Sequence, residues 1–506
     1  MEGKSIIIIG AGIAGLSAGC YGQMNGYHTH IFEMSNTPGG LCTSWQRQGY
    51  TIDGCLHWLV GSSPGSDFYR FWEELGAIQG KHIINHEEYT RFEGSQGKIF
   101  ILYANIDRLE KHMLEIAPED EKVIKELTKG IRDCTRLELP IEKAPELFGL
   151  IDGLKMLLKM FPFMAVLNKW RKISIQDFSA RFSNPLLREA FPLVGLPWLP
   201  EFSMLSLLMT LAWLHKESAG YPLGGSLVFS RSIEQRYLGL GGDLHYDSRV
   251  VKILVENNRA VGIRLLDGSE YRADYIVSAA DGHTTIFNLL DGRYVDEKIR
   301  DYYDNLPIFP PLIHVALGVN CSFEEIPHTV SGLSFPLDKP VVIAGKEWQR
   351  LGVHIYNFDP TFAEAGKTVL KVMLTSDYTY WKSLQENPEL YKAEKERIAD
   401  QIITLLDKRF PGLATQVEMR DVATPVTFQR YTGNWQGTFE GWMVTPETWT
   451  LRMKKTLSGL DNFYMVGQWV EPGGGLPPAA YSGRNLIQIL CKQDRRKFIT
   501  TVPKND

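Results

Sequence analysis

A run of four isoleucines, Ile6 to Ile9, leads without a break into GAGIAG, and no other stretch constrains this chain as tightly. Such a β-branched run is the pattern of a parallel strand buried on both faces. The three glycines that follow each have a mechanical task. Gly10 makes the tight turn, Gly12 lets the backbone approach a pyrophosphate, and Gly15 lets the next helix pack closely on the strand. The helix start then faces an anion with unpaired N–H groups. His28 to Glu33 (HTHIFE) reads as the second strand, and Glu33 stands 18 residues beyond Gly15. An acid there accepts hydrogen bonds from a ribose 2′-OH and disfavours a 2′-phosphate. Strand, helix, strand and acid fall in register, as a dinucleotide-binding unit requires.

The 506 residues suffice for two or three domains, and 44% hydrophobic with 22% charged residues is ordinary for a soluble globular protein. A net charge of −5 gives no concentrated cationic surface, so no nucleic-acid partner is expected. Cys20, Cys42, Cys55, Cys134, Cys321 and Cys491 form neither a CxxC pair nor a metal-ligand cluster. Free thiols, no metal and a reducing, cytoplasmic setting are expected. Met1 to Cys20 superficially resembles a secretory signal, but cleavage there would delete the glycine fingerprint, and a buried strand with a glycine-packed helix accounts for the same residues. No window has the long apolar run of a membrane-spanning helix.

After Pro38-Gly39-Gly40, the stretch through LHWLVG reads as a loop, a short hairpin about Gly49 and another loop. Two adjacent glycines allow close backbone approach to a ligand, or simply make a turn. Asp67 to Gly76 and Asp107 to Ile131 read as helical, the latter with a new start at Pro118. From Glu146 to Leu214 apolar residues dominate, in LFGLIDGLKMLLKMFPFMAVLNKW and again in MLSLLMTLAWL. No acid lies between Asp152 and Asp177, whereas Lys155, Lys159, Lys169, Arg171 and Lys172 do. One reading is a helical substrate region with ordinary core faces; the other is a surface resting on an anionic bilayer. Tyr221 to Asp281 returns to α/β character, with a helix through Arg231 to Leu238 and a hairpin turn at Asp267-Gly268. Strands and a helix from Pro388 to Phe410 then suggest a second pass through the substrate domain. The close, NFYMVGQWVEPGGGLPPAAYSGRNLIQIL, predicts a strand to Val466, a glycine- and proline-rich turn, and a helix from near Ala479. This second glycine junction is an anion or cofactor site if it meets the first in one sheet.

GAGIAGL with Glu33, PGGLCTSW, YPLGGS followed by GGDLHYDSRVVKI and ADYIVSAAD, TPVTFQRYTGN, and GQWVEPGGGLPPAAYSGR together resemble the phytoene desaturase family of flavoproteins. Carotenoid isomerases and retinol saturases are close branches, and the resemblance covers nearly the whole chain. It implies an α/β protein: a Rossmann-type FAD-binding domain with an inserted α+β substrate domain. On that division residues 1–106, 220–300 and 425–506 build the FAD-binding domain. Residues 107–219 form a helical substrate region with a candidate membrane-facing part, and 301–424 form the rest of the substrate domain. The implied cofactor is non-covalent FAD. Gly10, Gly12, Ile13, Ala14 and Gly15 would hold its pyrophosphate, Glu33 the adenosine ribose, and Gly39, Gly40 and Leu41 its middle. Val250 would reach the adenine through its backbone. Gly467 and the Gly473 to Leu476 turn, with Gly474 and Gly475, would lie along the ribityl chain and flavin, where N–H groups can stabilise charge on the reduced ring. Leu41 stands where many desaturases have arginine, and Asp53, Gly54 and His57-Trp58 look more like the DxGxHY stretch of the saturase and isomerase branches.

The expected function is therefore an FAD-dependent oxidoreductase acting on carbon–carbon bonds of a long apolar isoprenoid or polyene lipid, with peripheral membrane contact. Alternatives are a redox-neutral polyene cis–trans isomerase using reduced flavin, a flavin amine oxidase, and a flavin-retaining lipid-binding protein without turnover. His57 is the candidate acid/base group, set against a structural histidine. Trp435, Phe439, Trp442, Trp469 and Tyr481 either line a lipid tunnel or pack as core. Cys42 and Cys55 read as buried packing residues. GLGGDL at Gly239 to Leu244 precedes a strand instead of following one, which leaves a single dinucleotide site and no seat for NAD(P)H.

Overall fold

The computed structural model describes residues 3–94, 97–139, 141–193, 199–449, 451 and 453–503. The isoleucine run is β1 (Ser5–Ile9), followed by α1 (Ile13–Met24) and β2 (His28–Phe32). Much later come α2 (Gly225–Gly239), β3 (Asp243–His245) and β4 (Tyr275–Ser278), and last β5 (Phe463–Met465) and α3 (Leu476–Gln493). The five strands make one parallel sheet in the order β3-β2-β1-β4-β5. Strand alternation explains the unbroken run in β1. Ile6 and Ile8 enter the core shared with the three helices, while Ile7 and Ile9 enter a second core with Ile253, Ala260 and Ile263. Those three belong to an antiparallel sheet of Val250–Glu256, Arg259–Leu265 and Glu270–Arg272, which covers the opposite face. Each fully buried isoleucine contributes about 1.5–3 kcal/mol, so a polar residue in β1 would have no face to occupy.

The substrate domain is organised by a seven-stranded sheet, in the order Val417–Ala423, Leu312–Val319, Thr368–Thr375, Lys346–Ile355, Leu333–Ile343, Glu88–Glu93 and Ile99–Tyr103. Its neighbours are antiparallel except for Leu333–Ile343 beside Glu88–Glu93. This corrects the expected division at residue 106: the hairpin of Glu88 to Tyr103 leaves the nucleotide-binding segment and closes the edge of the substrate sheet. The reason is register, since Leu333 and Ser334 pair with Arg91 and Phe92 from across the chain. The long helix Pro388–Arg409 covers the sheet with Ile398, Ala399, Ile402, Leu405 and Leu406.

The helical region packs Ile106–Ile116, Glu121–Cys134 and Met204–His215 around Phe100, Phe178, Phe182 and Phe191. The two apolar stretches flagged in the sequence part company here. Met204–His215 is sunk in the core, whereas Leu150–Met160 has no buried residue. A second correction concerns α3, which starts at Leu476 instead of near Ala479. Pro477 and Pro478 occupy its first turn, where their missing N–H groups cost nothing.

Candidate functional site

The two glycine junctions meet in one sheet, with β4 between β1 and β5. Both turns therefore open at the same carboxyl edge, the usual crevice for a dinucleotide. Gly467 lies against α1: a Cβ there would sit 3.3 Å from that of Ala14. Its N–H donates to Ser482 Oγ at 3.0 Å, and Ser17 Oγ donates to the Ala480 carbonyl at 2.6 Å. α1 begins at Gly12 and α3 at Gly475, neither with a side-chain cap nor an acid in its first turn. The α1 N-terminus thus presents orphan donors for an anion, whereas in α3 Pro477 and Pro478 have no N–H to offer and the Gly475 N–H is turned to Glu440. A Cβ on Gly12 would find nothing nearer than the Gly39 carbonyl oxygen, 3.9 Å away, whereas one on Gly15 would run into the Gly10 carbonyl oxygen. Gly12 thus edges an open cradle and Gly15 is a packing glycine.

Glu33 is buried at the end of β2. One carboxylate oxygen accepts the Ala11 N–H at 2.7 Å and the other the Ser35 N–H at 2.8 Å. Burial pushes this carboxyl up, and its backbone donors pull it back. Each oxygen retains acceptor capacity for a ribose hydroxyl. The Ser248 N–H donates to the Glu33 carbonyl at 2.7 Å, which brings Val250 alongside. The Gly39 N–H donates to the Ala11 carbonyl at 2.8 Å, so Gly39, Gly40 and Leu41 run past the start of α1, where Ile13 and Ala14 are buried. The residues expected to hold the cofactor are brought together, and the cradle fits a dinucleotide.

Asp53 to His57 forms a loop wedged between this cradle and the substrate sheet. Asp53 caps α2: its carboxylate accepts the Ser226 N–H (2.5 Å), Ser226 Oγ (2.7 Å), the Cys55 N–H (2.9 Å) and the Leu56 N–H (3.0 Å). The paired glycines of YPLGGS are required here, because a Cβ on Gly225 would strike the Asp53 carboxylate. The N-terminus of α2 is therefore taken, which leaves α1 as the helix whose N-terminal donors face the cradle. Lys371, fully buried on the central strand Thr368–Thr375, donates to the Asp53 carbonyl at 3.0 Å. Burial lowers its pKa to about 8, offset in part by Asp53.

Around Lys371 stand three imidazoles, of which His57 and His314 are buried and His354 is partly so. His57 and His354 have ring centroids 4.8 Å apart, and His314 lies on the neighbouring strand. Burial, then the Lys371 charge, lowers His354 to about 3 and holds His57 and His314 well below the ordinary histidine range. All three stay neutral at physiological pH. His57 Nε2 and both ring nitrogens of His314 are buried and have no hydrogen-bond partner within the protein. His57 is thus a neutral hydrogen-bonding group or base, not a cationic acid. Sequence reasoning missed Lys371, His314 and His354. A signal was present: LKVMLT and LIHVALGV are continuous apolar runs with one polar residue, and a strand buried on both faces cannot turn that residue to water.

Glu440 was also missed, and TFEGW offers no signal for it. Its carboxyl lies against Gly474, where a Cβ would strike it, and meets the Gly475 N–H. A hydrogen bond to Cys42, and then burial, push the Cys55 thiol well up. The Cys55 thiol is therefore no thiolate nucleophile. Burial raises Glu440 from 4.5 to about 8, so the folded protein holds a proton there that the unfolded chain releases. The resulting stabilisation is complete below about pH 4.5 and is lost as pH rises through about 8. Lys371, lowered from 10.5 to about 8, acts oppositely and only above about pH 8, where stability gains as pH rises. Between pH 5 and 8 the melting temperature of the wild type should therefore fall more steeply than that of Glu440→Gln; parallel curves would contradict the enclosed, protonated carboxyl.

The five aromatics fall into three separate groups. Trp435, Trp442 and Trp469 pack around Tyr303, with Trp442 and Trp469 edge to face at 5.1 Å. Phe439 packs on Phe309, and Tyr481 stacks on Phe71. Core packing is what the structure assigns to the tryptophans.

Comparison with known proteins bears on these features. The family described as flavin containing amine oxidoreductase matches residues 13–486. The chain is similar to the chloroplastic prolycopene isomerase of Daucus carota, 25% identical over 96% of this chain and 78% of that one. It is similar to the lycopene-forming phytoene desaturase of Pseudescherichia vulneris, 23% identical over 97% and 99%. Among solved structures, an oxidoreductase from Methanosarcina mazei superposes with a TM-score of 0.60 at 17% identity, covering 96% of this chain and 100% of that one. Putrescine oxidase bound to putrescine gives 0.59 at 14%, covering 97% and 99%. These structural likenesses establish the fold.

Proposed function

Since the chain belongs to the flavin containing amine oxidoreductase family and its cofactor is FAD, we propose that it acts on carbon–carbon bonds of a long, apolar polyene of the carotenoid class. When bound, the flavin supplies a site that exchanges a hydride with carbon. The glycine turns at Gly10 to Gly15 and Gly473 to Gly475, with Glu33 and Val250, would hold it without a covalent bond. The Asp53 to His57 loop carries the reading, because it joins the cofactor cradle to a cluster of neutral imidazoles, and neither carboxyl described beside it, Asp53 or Glu440, is a free anion. Asp53 is committed to four donors and Glu440 is protonated by burial. An alkylammonium substrate would find no counter-charge there, while Lys371 would repel it. An uncharged hydrocarbon has no such need. The work of these residues is to exclude water and position the chain, with His57 and Glu440 as groups able to hold or move a proton.

Two observations favour redox-neutral cis–trans isomerisation as a second reading. The prolycopene isomerases stand at 25% identity, against 22–23% for the phytoene desaturases. GLGGDL, moreover, is the end of α2, where Gly241 at φ +88° turns the chain into β3; it presents no helix N-terminus to a nicotinamide dinucleotide. The test is anaerobic spectroscopy of the bound flavin, mixed in turn with NADH, NADPH, a quinol and candidate polyenes, with product masses measured. We expect NADH and NADPH to leave the flavin oxidised over the time a polyene is converted. A product of unchanged mass means isomerisation, and one changed by two hydrogens gives the redox direction. Rapid bleaching by NADH, or inertness to every polyene with turnover of an amine, would overturn the proposal.

A further inference from the structure

The helix Leu150–Met160 and the turn Phe161–Phe163 contain no buried residue. Leu150, Ile151, Leu154, Leu157, Leu158 and Phe161 are 96, 72, 59, 54, 66 and 71% exposed. At their spacing these side chains fall along one face of the helix, with Asp152, Lys155 and Lys159 on the other. A water-facing stripe of this length is an interaction surface, since an ordinary fold would turn it inward as it does Met204–His215.

The charge around it selects the partner. Between Gly149 and Lys172 stand five cations, Lys155, Lys159, Lys169, Arg171 and Lys172, and one acid, Asp152, a local balance of +4 in a chain of −5. Lys159 and Lys169 pair with Glu138 and Glu126, at 3.0 and 2.7 Å. Lys155, Arg171 and Lys172 make no ion pair among the described residues. A second copy seated face to face would oppose like charges, whereas anionic headgroups would neutralise them.

We propose that the chain lays this helix in the interface of an anionic lipid bilayer, with the apolar stripe at the acyl boundary and the lysines among the headgroup phosphates. No helix among the described residues is long and apolar enough to cross a membrane, so the contact is lateral. Docking there would also orient the cofactor domain. The Ala144 N–H donates to Gln488 Oε1 at 2.6 Å, and Arg484 and Gln488 each donate to the Glu142 carbonyl at 2.8 Å. These contacts tie the segment before the helix to α3. The inference does not depend on the substrate proposed above.

The experiment is flotation of the full-length, FAD-loaded protein with phosphatidylcholine vesicles, with and without 30% phosphatidylglycerol (about one lipid in three, enough for a negative surface), at low and high salt. Wild type should float with the anionic vesicles at low salt and less at high salt. Leu154→Asp/Leu158→Asp/Phe161→Asp should lower the bound fraction at least tenfold while keeping its FAD content and melting temperature. Lys155→Glu/Lys172→Glu should lose the preference for anionic lipid. Wild type indifferent to both vesicles, a triple variant that floats like wild type, or a wild-type dimer that the triple variant abolishes would each overturn the proposal, the last by assigning the face to a second copy.

Discussion

Replacing Asp53 with alanine should destabilise the protein by about 3–5 kcal/mol, the range for removing one partner of a buried, charge-bearing network. The carboxylate receives four donors within 3.0 Å and faces the buried ammonium of Lys371. Its loss would leave the Ser226 and Cys55 N–H groups and the Ser226 hydroxyl short of an acceptor, the Leu56 N–H with Ser226 Oγ alone, the α2 N-terminus uncapped, and Lys371 without compensation. Ser226→Ala removes one of those donors and one of the two acceptors of the Leu56 N–H, which keeps Asp53, and should cost only about 1 kcal/mol. Chemical denaturation of the FAD-loaded variants, followed by flavin fluorescence and circular dichroism, measures both. An Asp53→Ala cost within 1 kcal/mol of the Ser226→Ala cost would show that the loop is not held as described.

Gly15→Val should yield protein without FAD. A Cβ at Gly15 would run into the Gly10 carbonyl oxygen and come within 3.2 Å of Ala279 Cβ. The first obstacle is backbone, so α1 itself has to move away from the glycine turn. That movement carries the helix N-terminus off the pyrophosphate, and FAD affinity should fall by more than about tenfold, beyond the roughly 1–3 kcal/mol of overpacking. The readout is the flavin-to-protein absorbance ratio after purification. Gly12→Ala is the informative contrast: its Cβ meets no protein atom within 3.9 Å and should leave folding intact while weakening FAD. A yellow, fully loaded Gly15→Val protein would refute the packing role.

Much of the cofactor domain was legible because its signals are local. Four isoleucines buried on alternate faces, a glycine where backbone must touch backbone, and an acid at the end of the next strand are each set by neighbours a few residues away. The hairpin Glu88 to Tyr103 was not legible. Its own alternation specifies a strand pair but not which sheet it joins, and that was decided by pairing with Leu333 and Ser334. The same holds at the site. His57 could be singled out from its loop, but its neutral state depends on burial, and then on Lys371 and His354, which lie about three hundred residues away on the substrate sheet. Glu440 acquires its raised pKa from burial beside the distant turn at Gly474, and the Gly475 N–H pulls it partly back. By itself, then, the sequence determined the dinucleotide-binding unit and the two glycine turns. Tertiary structure alone decided which sheet each remote strand completes, which apolar helix is core and which faces water, and which charges are enclosed together, because burial and charge are properties of an enclosure assembled from distant segments.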